Sequence, residues 1–343
     1  MDKRLICVIF GGESSEYQVS LRSAYSVLNA LDKDKYQIVK IGITKKGKWY
    51  LYEGDNEKIL KDTWHDSPLQ EITIDFNSGA FISRDKRKIK PYNTLIVMHG
   101  ENAEDGRIQS CLDLAKINYV GPDPQASGVC MNKHLTKLFA KALDIRVARD
   151  VLVTCDNYQS KEIQNEIEKI SYPVFVKPTC QGSSVGVTRV EKREDLENAL
   201  EKALSYSKSA LVEEYINGVE TEVAILEKDH QIIAIESGQL SYKESFYTYE
   251  EKYKNKNTKY QIPSKIDEKT EKSLKECSKK LFFALGLKDL SRLDFFITKE
   301  NKIIFNEVNT LPGMTDISMY PMLLNSKGIS FTKMLDILLE KPN

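Results

Sequence analysis

The sequence lacks several features that would point to a membrane or to nucleic acid. No stretch approaches the roughly 18 consecutive apolar residues of a membrane-spanning helix, so neither a membrane protein nor a membrane partner is expected. The 50 Lys and Arg residues balance 50 Asp and Glu residues. Such a balance excludes the global positive field that attracts nucleic acid. Any anion-binding site must therefore be local.

Paired cysteines are also missing. The six cysteines are scattered at positions 7, 111, 130, 155, 180 and 277, and none forms a CxxC motif. This pattern argues against a zinc site or a disulfide framework and is typical of reduced thiols in the cytoplasm. The apolar segment at the N-terminus is short and runs into Gly11-Gly12, so no signal peptide is expected.

Strand and helix patterns alternate along the 343 residues, a length that suits two or three domains. RLICVIF, a glycine turn, the helical VSLRSAYSVLNALDK and the strand-like YQIVKIGIT form a βαβ opening. The pattern predicts an α/β fold, α+β in part, in which residues 50–90 are polar and irregular. A domain boundary is predicted near residue 120, followed by a single helix in SGVCMNKHLTKLFAKALDI.

The stretch 291–318 carries the clearest indication of a functional site. LDFFIT and KIIFNEV are strand-like, and the polar run 299–302 between them has turn chemistry, so a β-hairpin is predicted. A turn centred between Glu300 and Asn301 would pair Asp294 with Glu307. The same register pairs Arg292 with Asn309 on the same face.

Two facing carboxylates repel each other unless a cation lies between them. The oxygen atoms of Asp294, Glu307 and Asn309 are the ligands that Mg²⁺ prefers, especially beside nucleotide phosphates. The alternative is a solvated hairpin with scattered charges.

A phosphate-binding loop is predicted after the strand that ends at Lys177. The segment Gly182–Gly186 could close backbone N–H groups over phosphate oxygens while Lys177 supplies a charge, although it lacks the order of a Walker A loop. The alternative is an ordinary hairpin turn. Lys133 is either a second cation for a nucleotide or a solvated lysine.

Two further segments are candidates for nucleotide contacts. In LVEEYI, Glu213, Tyr215 and Ile216 could line an adenine slot and Glu220 could bind ribose, or the segment is a half-buried hairpin. Residues 242–261 hold six aromatic residues and five lysines without periodicity. This segment is either a disordered insertion or an active-site lid.

Two residues near the N-terminal glycine turn are candidates for substrate contacts. Glu16 could hold a substrate ammonium, although an acidic residue near a helix start is also favoured by the helix dipole. His99, with Glu104 and Asp105 nearby, is either catalytic or a loop histidine.

In chain order, several motifs resemble those of D-alanine:D-alanine ligases, which belong to the ATP-grasp superfamily. They are GGESSEYQVS, HGENAEDG, CMNKHLTK, YPVFVKP with QGSSVG, VEEYINGVE, YEEKY, SRLD and NEVNTLPGMTDISMYP. The resemblance extends over essentially the whole chain. It implies an ATP-grasp fold with ATP held between the second and third of three domains. The expected domains are 1–120, 121–210, and 211–343 with the lid loop 242–261.

The resemblance also implies a reaction. ATP phosphorylates the carboxylate of one D-alanine, and the amine of a second attacks the acyl phosphate to give a dipeptide for peptidoglycan synthesis. The cofactors expected are ATP and two Mg²⁺ ions, with Mn²⁺ as a substitute. The substrates expected are D-alanine and, as a competitor for the second position, D-serine. A cytoplasmic homodimer is expected.

Residue roles follow from the matching motifs. The resemblance implies catalytic roles for Glu16, Ser183, Tyr253, Arg292 and Gly313. It implies nucleotide contacts for Lys133, Lys177, Glu213, Tyr215, Ile216, Glu220, Lys252 and Asn306. It places His99, Ser318 and Met319 at the substrates, and Asp294, Glu307 and Asn309 at the metal.

Some positions depart from the family pattern. Ala103, Asn132 and Cys180 replace a usual glycine, an aspartate and a charged residue, which leaves open a nucleotide-binding homologue that has lost catalysis. The segment IGITKKGKWY resembles ligases of the vancomycin-resistance type, some of which use D-serine or D-lactate. The retained Glu251-Lys252-Tyr253 argues against D-lactate, and an apolar Met319 favours D-alanine, with a D-alanine:D-serine ligase as the alternative.

Overall fold

The computed structural model describes residues 2–241 and 259–340. Over these residues the chain forms three β-sheets with helices packed against them, as the α/β prediction requires. No helix in these two ranges is both long and apolar enough to cross a membrane.

The N-terminal sheet has the strand order β6-β5-β4-β3-β2-β1-β7. Its strands are β1 Arg4–Gly11, β2 Tyr36–Ile43, β3 Trp49–Tyr52, β4 Gln70–Asp75, β5 Ala80–Ser83, β6 Lys88–Ile89 and β7 Asn93–Val97, and its helices are α1 Tyr17–Ala30, α2 Asn56–Leu60 and α3 Arg107–Leu114. Strand β1 pairs in parallel with β2 and β7. Its apolar run is buried because both faces are covered. The prediction that residues 50–90 are irregular is wrong, since short antiparallel strands there extend the sheet.

The second sheet has the order β10-β9-β11-β8. It comprises β8 Asp150–Thr154, β9 Val174–Pro178, β10 Thr188–Val190 and β11 Ser209–Glu214, with α6 Lys161–Glu168 and α7 Leu196–Leu204 on it. Strand β11 pairs with both β8 and β9. The predicted boundary between residues 210 and 211 therefore falls inside a strand of this sheet.

The single helix predicted after residue 120 is two helices, α4 Pro124–Met131 and α5 Lys133–Ala142. Asn132 separates them because its backbone is extended. The side chain of Asn132 caps α5 by accepting from the backbone N–H groups of His134 and Leu135. Both helices pack on the core of the third sheet, where Cys130 and Ala140 join its buried side chains.

The third sheet has the order β15-β14-β12-β16-β17, with β13 also paired to β12. Its elements are β12 Gly218–Lys228, β13 Gln231–Ala234, β14 Gly238–Ser241, β15 Lys259–Gln261, α8 Glu268–Ala284, β16 Leu290–Thr298, β17 Ile303–Asn309, α9 Met319–Ser326 and α10 Phe331–Leu339. The predicted hairpin is β16 with β17, and it places β16 between β12 and β17.

The hairpin register at the candidate site is as predicted. Arg292 pairs with Asn309, and Asp294 pairs with Glu307. Nearer the turn the register shifts by one residue, so that Phe295 faces Phe305 and a bulge lies beyond Asp294. The two phenylalanine rings pack edge to face with centroids 5.6 Å apart in the core. The bulge lets both the ring pair and the polar face form in one ladder.

Candidate functional site

A cavity of about 660 Å³ opens among the N-terminal sheet, the loop after β9 and the third sheet. The predicted residues that line it are Glu16, His99, Lys133, Ser183, Arg292, Glu307, Asn309, Gly313, Ser318 and Met319. These residues come from all three sheet regions. The cavity therefore forms only when the regions are assembled.

The third sheet contributes a charged surface to the cavity, the charged floor, which is centred on Arg292 and the carboxylates that contact it. Arg292 Nε lies 2.8 Å from Asp294 Oδ1 and 2.9 Å from Glu222 Oε2, and its Nη2 donates to Asp294 Oδ2 at 2.8 Å. Burial by itself lowers the pKa of Arg292, but the two carboxylates outweigh it and raise the pKa well above the usual value. The guanidinium is thus held in one orientation as a permanent cation.

The predicted metal ligands lie next to one another on this floor. Asp294 is buried, and Asn309 Nδ2 donates to its Oδ2 at 2.8 Å, which leaves Oδ1 as the ligand atom of Asn309. Glu307 is less buried, and its Oε2 lies 3.1 Å from Lys133 Nζ. Adjacent carboxylate and amide oxygens of this kind suit a hard divalent cation.

Sequence reasoning missed an acidic neighbour of this face. Glu222 on β12 pairs directly with Asp294 on β16, and ligand atoms of Glu220, Glu222 and Asp294 lie within 4.8 Å of one another. Glu220 and Glu222 are two residues apart, so both lie on one face of their strand. Nothing in the sequence indicates that this strand pairs with β16.

The loop after β9 reaches the N-terminal region through Ser183. The Ser183 hydroxyl donates to Glu16 Oε1. A Cβ at position 182 would lie only 2.7 Å from Glu16 Oε2, so any larger residue there would displace the Glu16 carboxylate. Ser183 and Ser184 have φ values of 48° and 59°, a left-handed conformation that is strained for serine and is typical of functional loops.

His99 is buried at the end of the N-terminal sheet. Its Nε2 lies 3.0 Å from Ser23 Oγ, and its Nδ1 lies 3.2 Å from the carbonyl oxygen of Leu311 and 3.6 Å from Glu104 Oε1. Burial lowers the pKa of His99, but the carboxylates of Glu104 and Glu16 more than reverse this and raise it. The histidine is therefore a rigid part of the cavity wall and not a solvated loop residue.

Lys177 is not one of the residues that line the cavity. Its ammonium contacts the carboxylate of Glu213. Glu213 Oε2 is 2.6 Å from Lys177 Nζ, and Glu213 Oε1 is 2.6 Å from the ammonium of Lys137, a residue that the sequence did not single out. Lys177 Nζ also donates to Asn306 Oδ1 at 3.4 Å. A positively charged cluster of side chains thus lies next to the cavity. Its members are contributed by β9, β11, β17 and α5.

Gly313 and Ser318 form the end of the cavity near α9. A Cβ at position 313 would lie 2.8 Å from Ser318 Oγ, which explains the glycine. Ser318 Oγ accepts from the Thr315 backbone N–H at 3.1 Å, and Met319, the first residue of α9, is buried beside Gly238. The cavity wall on this side therefore combines the Ser318 hydroxyl with the apolar side chain of Met319, and Thr315 and Asp316 also line it.

The remaining predicted nucleotide residues lie along the edge between the second and third sheets. Tyr215 is exposed and stacks near Arg189, whose guanidinium carbon is 5.1 Å from the ring centre. Ile216 is half-buried and accepts from Gly218 N, and Glu220 is largely buried. The predicted lid residues Lys252 and Tyr253 lie outside the described residues.

Comparison with known proteins gives a consistent result. Residues 5–122 match the family described as "D-ala D-ala ligase N-terminus", and residues 139–340 match "D-ala D-ala ligase C-terminus". The chain is 39% identical to D-alanine–D-alanine ligase B of Clostridium tetani over 99% of this chain and 94% of that protein. It is 36% identical to the vancomycin C-type resistance protein VanC2 of Enterococcus casseliflavus over 97% of each chain.

Solved structures show the same likeness. The VanG D-Ala:D-Ser ligase of Enterococcus faecalis superposes with a TM-score of 0.90 at 37% identity, covering 99% of each chain. The D-alanine-D-alanine ligase of Coxiella burnetii superposes with a TM-score of 0.87 at 29% identity, over 99% of this chain and 94% of that one. The likeness therefore includes all three sheets.

Proposed function

The chain belongs to the D-alanine–D-alanine ligase family of ATP-dependent ligases, and from this premise we propose that it joins two D-alanine molecules at the cavity between its three sheets. The observation that carries the proposal is the convergence in one cavity of a carboxylate, a fixed guanidinium and a face of carboxylate and amide oxygens that suits a divalent cation. These are the groups needed for an amino-acid ammonium, a negatively charged oxygen and a phosphoryl group, respectively.

The first D-alanine binds near the N-terminal sheet in this proposal. Glu16 holds its ammonium, and Ser183 fixes the Glu16 carboxylate through their hydrogen bond. His99 forms the adjacent wall and is kept in position by Ser23 and the Leu311 carbonyl. The carboxylate of the first substrate then points toward the charged floor of the third sheet.

ATP binds beside this floor. We propose that Asp294, Glu307 and Asn309 hold two Mg²⁺ ions, for which Mn²⁺ can substitute, because their oxygen atoms are adjacent and suit such a cation. When bound, Mg²⁺ neutralises the charge of the transferring phosphoryl group. Lys133 and Lys177 bind phosphates together with Lys252. The edge formed by Tyr215, Ile216 and Glu220, with Asn306, accepts the nucleoside, and the buried Glu213 side chain acts on the nucleotide site through Lys177.

Arg292 and Gly313 stabilise the negative charge that develops when the second amine attacks the acyl phosphate. The guanidinium needs little reorganisation because Asp294 and Glu222 already orient it. The Gly313 N–H adds a second donor, and Ser318 binds the carboxylate of the second substrate. Tyr253 is assigned a catalytic role at the first substrate from its motif alone. The dipeptide then leaves for peptidoglycan synthesis. We further propose that the protein is a homodimer and acts in the cytoplasm.

D-Serine as the second substrate is the alternative, because the similar VanG structure is titled a D-Ala:D-Ser ligase. Met319 argues for D-alanine, since its apolar side chain offers a serine hydroxyl no hydrogen bond. An apolar pocket nonetheless discriminates weakly against one added hydroxyl.

Phosphate release by the purified protein with ATP and Mg²⁺ tests the proposal. Release should be strong with D-alanine alone, and mass spectrometry should find mainly D-alanyl-D-alanine when D-serine competes at equal concentration. Dominant D-alanyl-D-serine would establish the alternative, and no dipeptide at all would favour a homologue without catalysis.

Arg292→Lys supplies a sharper test of the site. Lysine keeps the charge but lacks the planar fork that binds Asp294 and Glu222. We expect kcat to fall about 100-fold or more, the usual effect of losing one oxyanion donor. Exposed Arg107→Lys is the matched control and should be near normal. Near-normal kcat in Arg292→Lys would refute the assigned role.

A further inference from the structure

Lys137 is a buried cation that neither the sequence motifs nor the cavity lining singled out. Its side chain is 1% exposed, and it lies on α5 one helical turn after Lys133. The i, i+4 spacing puts both lysines on the same face of the helix, directed at the site. Burying an ammonium is costly unless it is paired, so Lys137 requires an explanation.

The partner of Lys137 is the carboxylate that also binds Lys177. Lys137 Nζ is 2.6 Å from Glu213 Oε1, and Lys177 Nζ is 2.6 Å from Glu213 Oε2. Burial by itself would raise the pKa of Glu213, but the two lysines more than reverse this and lower it to about 2. One carboxylate therefore bridges two lysines. Burial lowers the pKa of Lys137, and the adjacent carboxylate of Glu213 opposes this. With both ammonium groups protonated, the group of three carries one net positive charge.

The contact of Glu213 with both lysines changes the net charge that surrounds Lys177. If Glu213 faced Lys177 alone, the two would form a neutral pair, and the ammonium would offer little net attraction to an anion. Because Lys137 also contacts the carboxylate, its own positive charge offsets the charge of Glu213, and a net positive charge remains beside the phosphates. Removing a unit positive charge several ångströms from a phosphate weakens the attraction between them, and the loss is substantial at the effective dielectric constant of a partly buried site.

We propose that Lys137 is a positioning residue for nucleotide binding, which shares Glu213 so that Lys177 keeps a net positive charge for the phosphates. The inference rests on the proposed ATP site. It assigns Lys137 no contact with ATP, since Lys137 acts through Glu213 and Lys177.

The test separates phosphate binding from nucleoside binding. Dissociation constants for Mg-ATP and inhibition constants for adenosine are measured for the wild type, Lys137→Met and Lys141→Met. Lys141 is the matched control because it lies one turn further along α5, is exposed and pairs with Asp150 at 2.7 Å. We expect Lys137→Met to weaken Mg-ATP relative to adenosine on the order of tenfold, and Lys141→Met to change neither.

A double variant tests the charge balance itself. In Lys137→Met with Glu213→Gln, Lys177 again lacks a neutralising carboxylate, so the preference for Mg-ATP over adenosine should return to near the wild-type value. A purely structural role of Lys137 would not produce this recovery. The double variant also removes the unbalanced buried charge, so it remains informative if the single variant folds poorly.

The outcomes are distinct. If Lys137→Met leaves the Mg-ATP dissociation constant unchanged, the inference is overturned. An equal loss of affinity for Mg-ATP and for adenosine also overturns it, because such a loss would place the effect at the nucleoside. No recovery in the double variant also overturns it. If the wild type itself fails to bind Mg-ATP, the proposed function fails instead.

Discussion

The charge of His99 is controlled by residues on two different loops. The imidazole is buried, which disfavours the proton, but Glu104 and Glu16 face it and raise its pKa above the ordinary value of 6.5. A histidine whose folded-state pKa is raised contributes stability that is complete below the unfolded pKa. That contribution is lost as the pH rises through the folded pKa.

Glu104→Gln should therefore destabilise the protein in a pH-dependent way. We expect a loss of about 1 kcal/mol in the free energy of unfolding at pH 6. The loss should be smaller at pH 9, because the imidazolium gives up its proton as the pH rises through the raised folded pKa of His99. Urea unfolding at the two pH values measures this. Glu101→Gln, an exposed change in the same loop, should have no such dependence. A loss independent of pH would mean that Glu104 does not interact with the imidazolium.

Single residues also show where sequence reasoning ended. Glu16, His99 and Arg292 were identified from motifs, and the structure brings them to one cavity. Lys137 and Glu222 were not, because each gains its importance from a neighbour distant in sequence, Glu213 and Asp294 respectively. Spacing in the sequence can place two residues on one face of a strand or helix, but it does not predict which element will pack against that face.

Among the secondary-structure elements, the hairpin was predicted most accurately. Its polar register, Asp294 with Glu307, followed from a turn placed between Glu300 and Asn301. The register near the turn was wrong by one residue, because the pairing of Phe295 with Phe305 in the core imposes a bulge. Turn chemistry alone does not reveal a bulge, which is set by side chains packed on the opposite face.

The break between α4 and α5 was missed for a related reason. Apolar residues continue with helical spacing across Asn132, and so the pattern predicts one helix. Asn132 instead caps α5, and the following backbone N–H, that of Lys133, donates to Thr179 O at 2.9 Å. The residue that departs from the family pattern therefore fixes the start of the helix that carries Lys133 and Lys137.

Asn132→Ala should weaken both the helix start and the lysines on it. We expect a loss of about 1 kcal/mol in the free energy of unfolding, together with a higher KM for ATP, because the first turn of α5 loses its side-chain acceptor. Asn132→Asp keeps an acceptor oxygen and is the control that should remain near wild type. An Asn132→Ala protein as stable as the wild type would show that the cap contributes nothing.

At the scale of the whole molecule, the N-terminal and C-terminal regions share one hydrophobic core. Side chains of β1, α1, α9 and α10 belong to a single buried cluster, which includes Phe10, Leu21, Tyr320 and Leu335. Since the cavity lies between these regions, the shared core fixes Glu16 relative to Arg292. The order of these elements follows from the sequence pattern, but nothing in that pattern indicates that the last helix packs on the first.

Asp336 on α10 is a polar contact at this junction and tests how far the two regions unfold together. It is buried, and it binds Lys35 Nζ at 2.6 Å and Tyr36 Oη at 3.1 Å. Asp336→Ala leaves the Tyr36 hydroxyl without this acceptor, so we expect a loss of about 1 to 3 kcal/mol in the free energy of unfolding.

Because the core is continuous across the junction, the N-terminal and C-terminal regions of Asp336→Ala should still unfold in one transition at a lower denaturant midpoint. Tryptophan fluorescence reports on the N-terminal region through Trp49 and Trp64, and circular dichroism reports on the whole chain. Asp32→Ala, a change at a half-buried carboxylate 3.9 Å from Lys35 Nζ, is the control and should leave the midpoint nearly unchanged. A separate fluorescence transition at lower denaturant would mean that the N-terminal sheet is stable independently of α10, and that the shared core does not couple the two walls of the cavity.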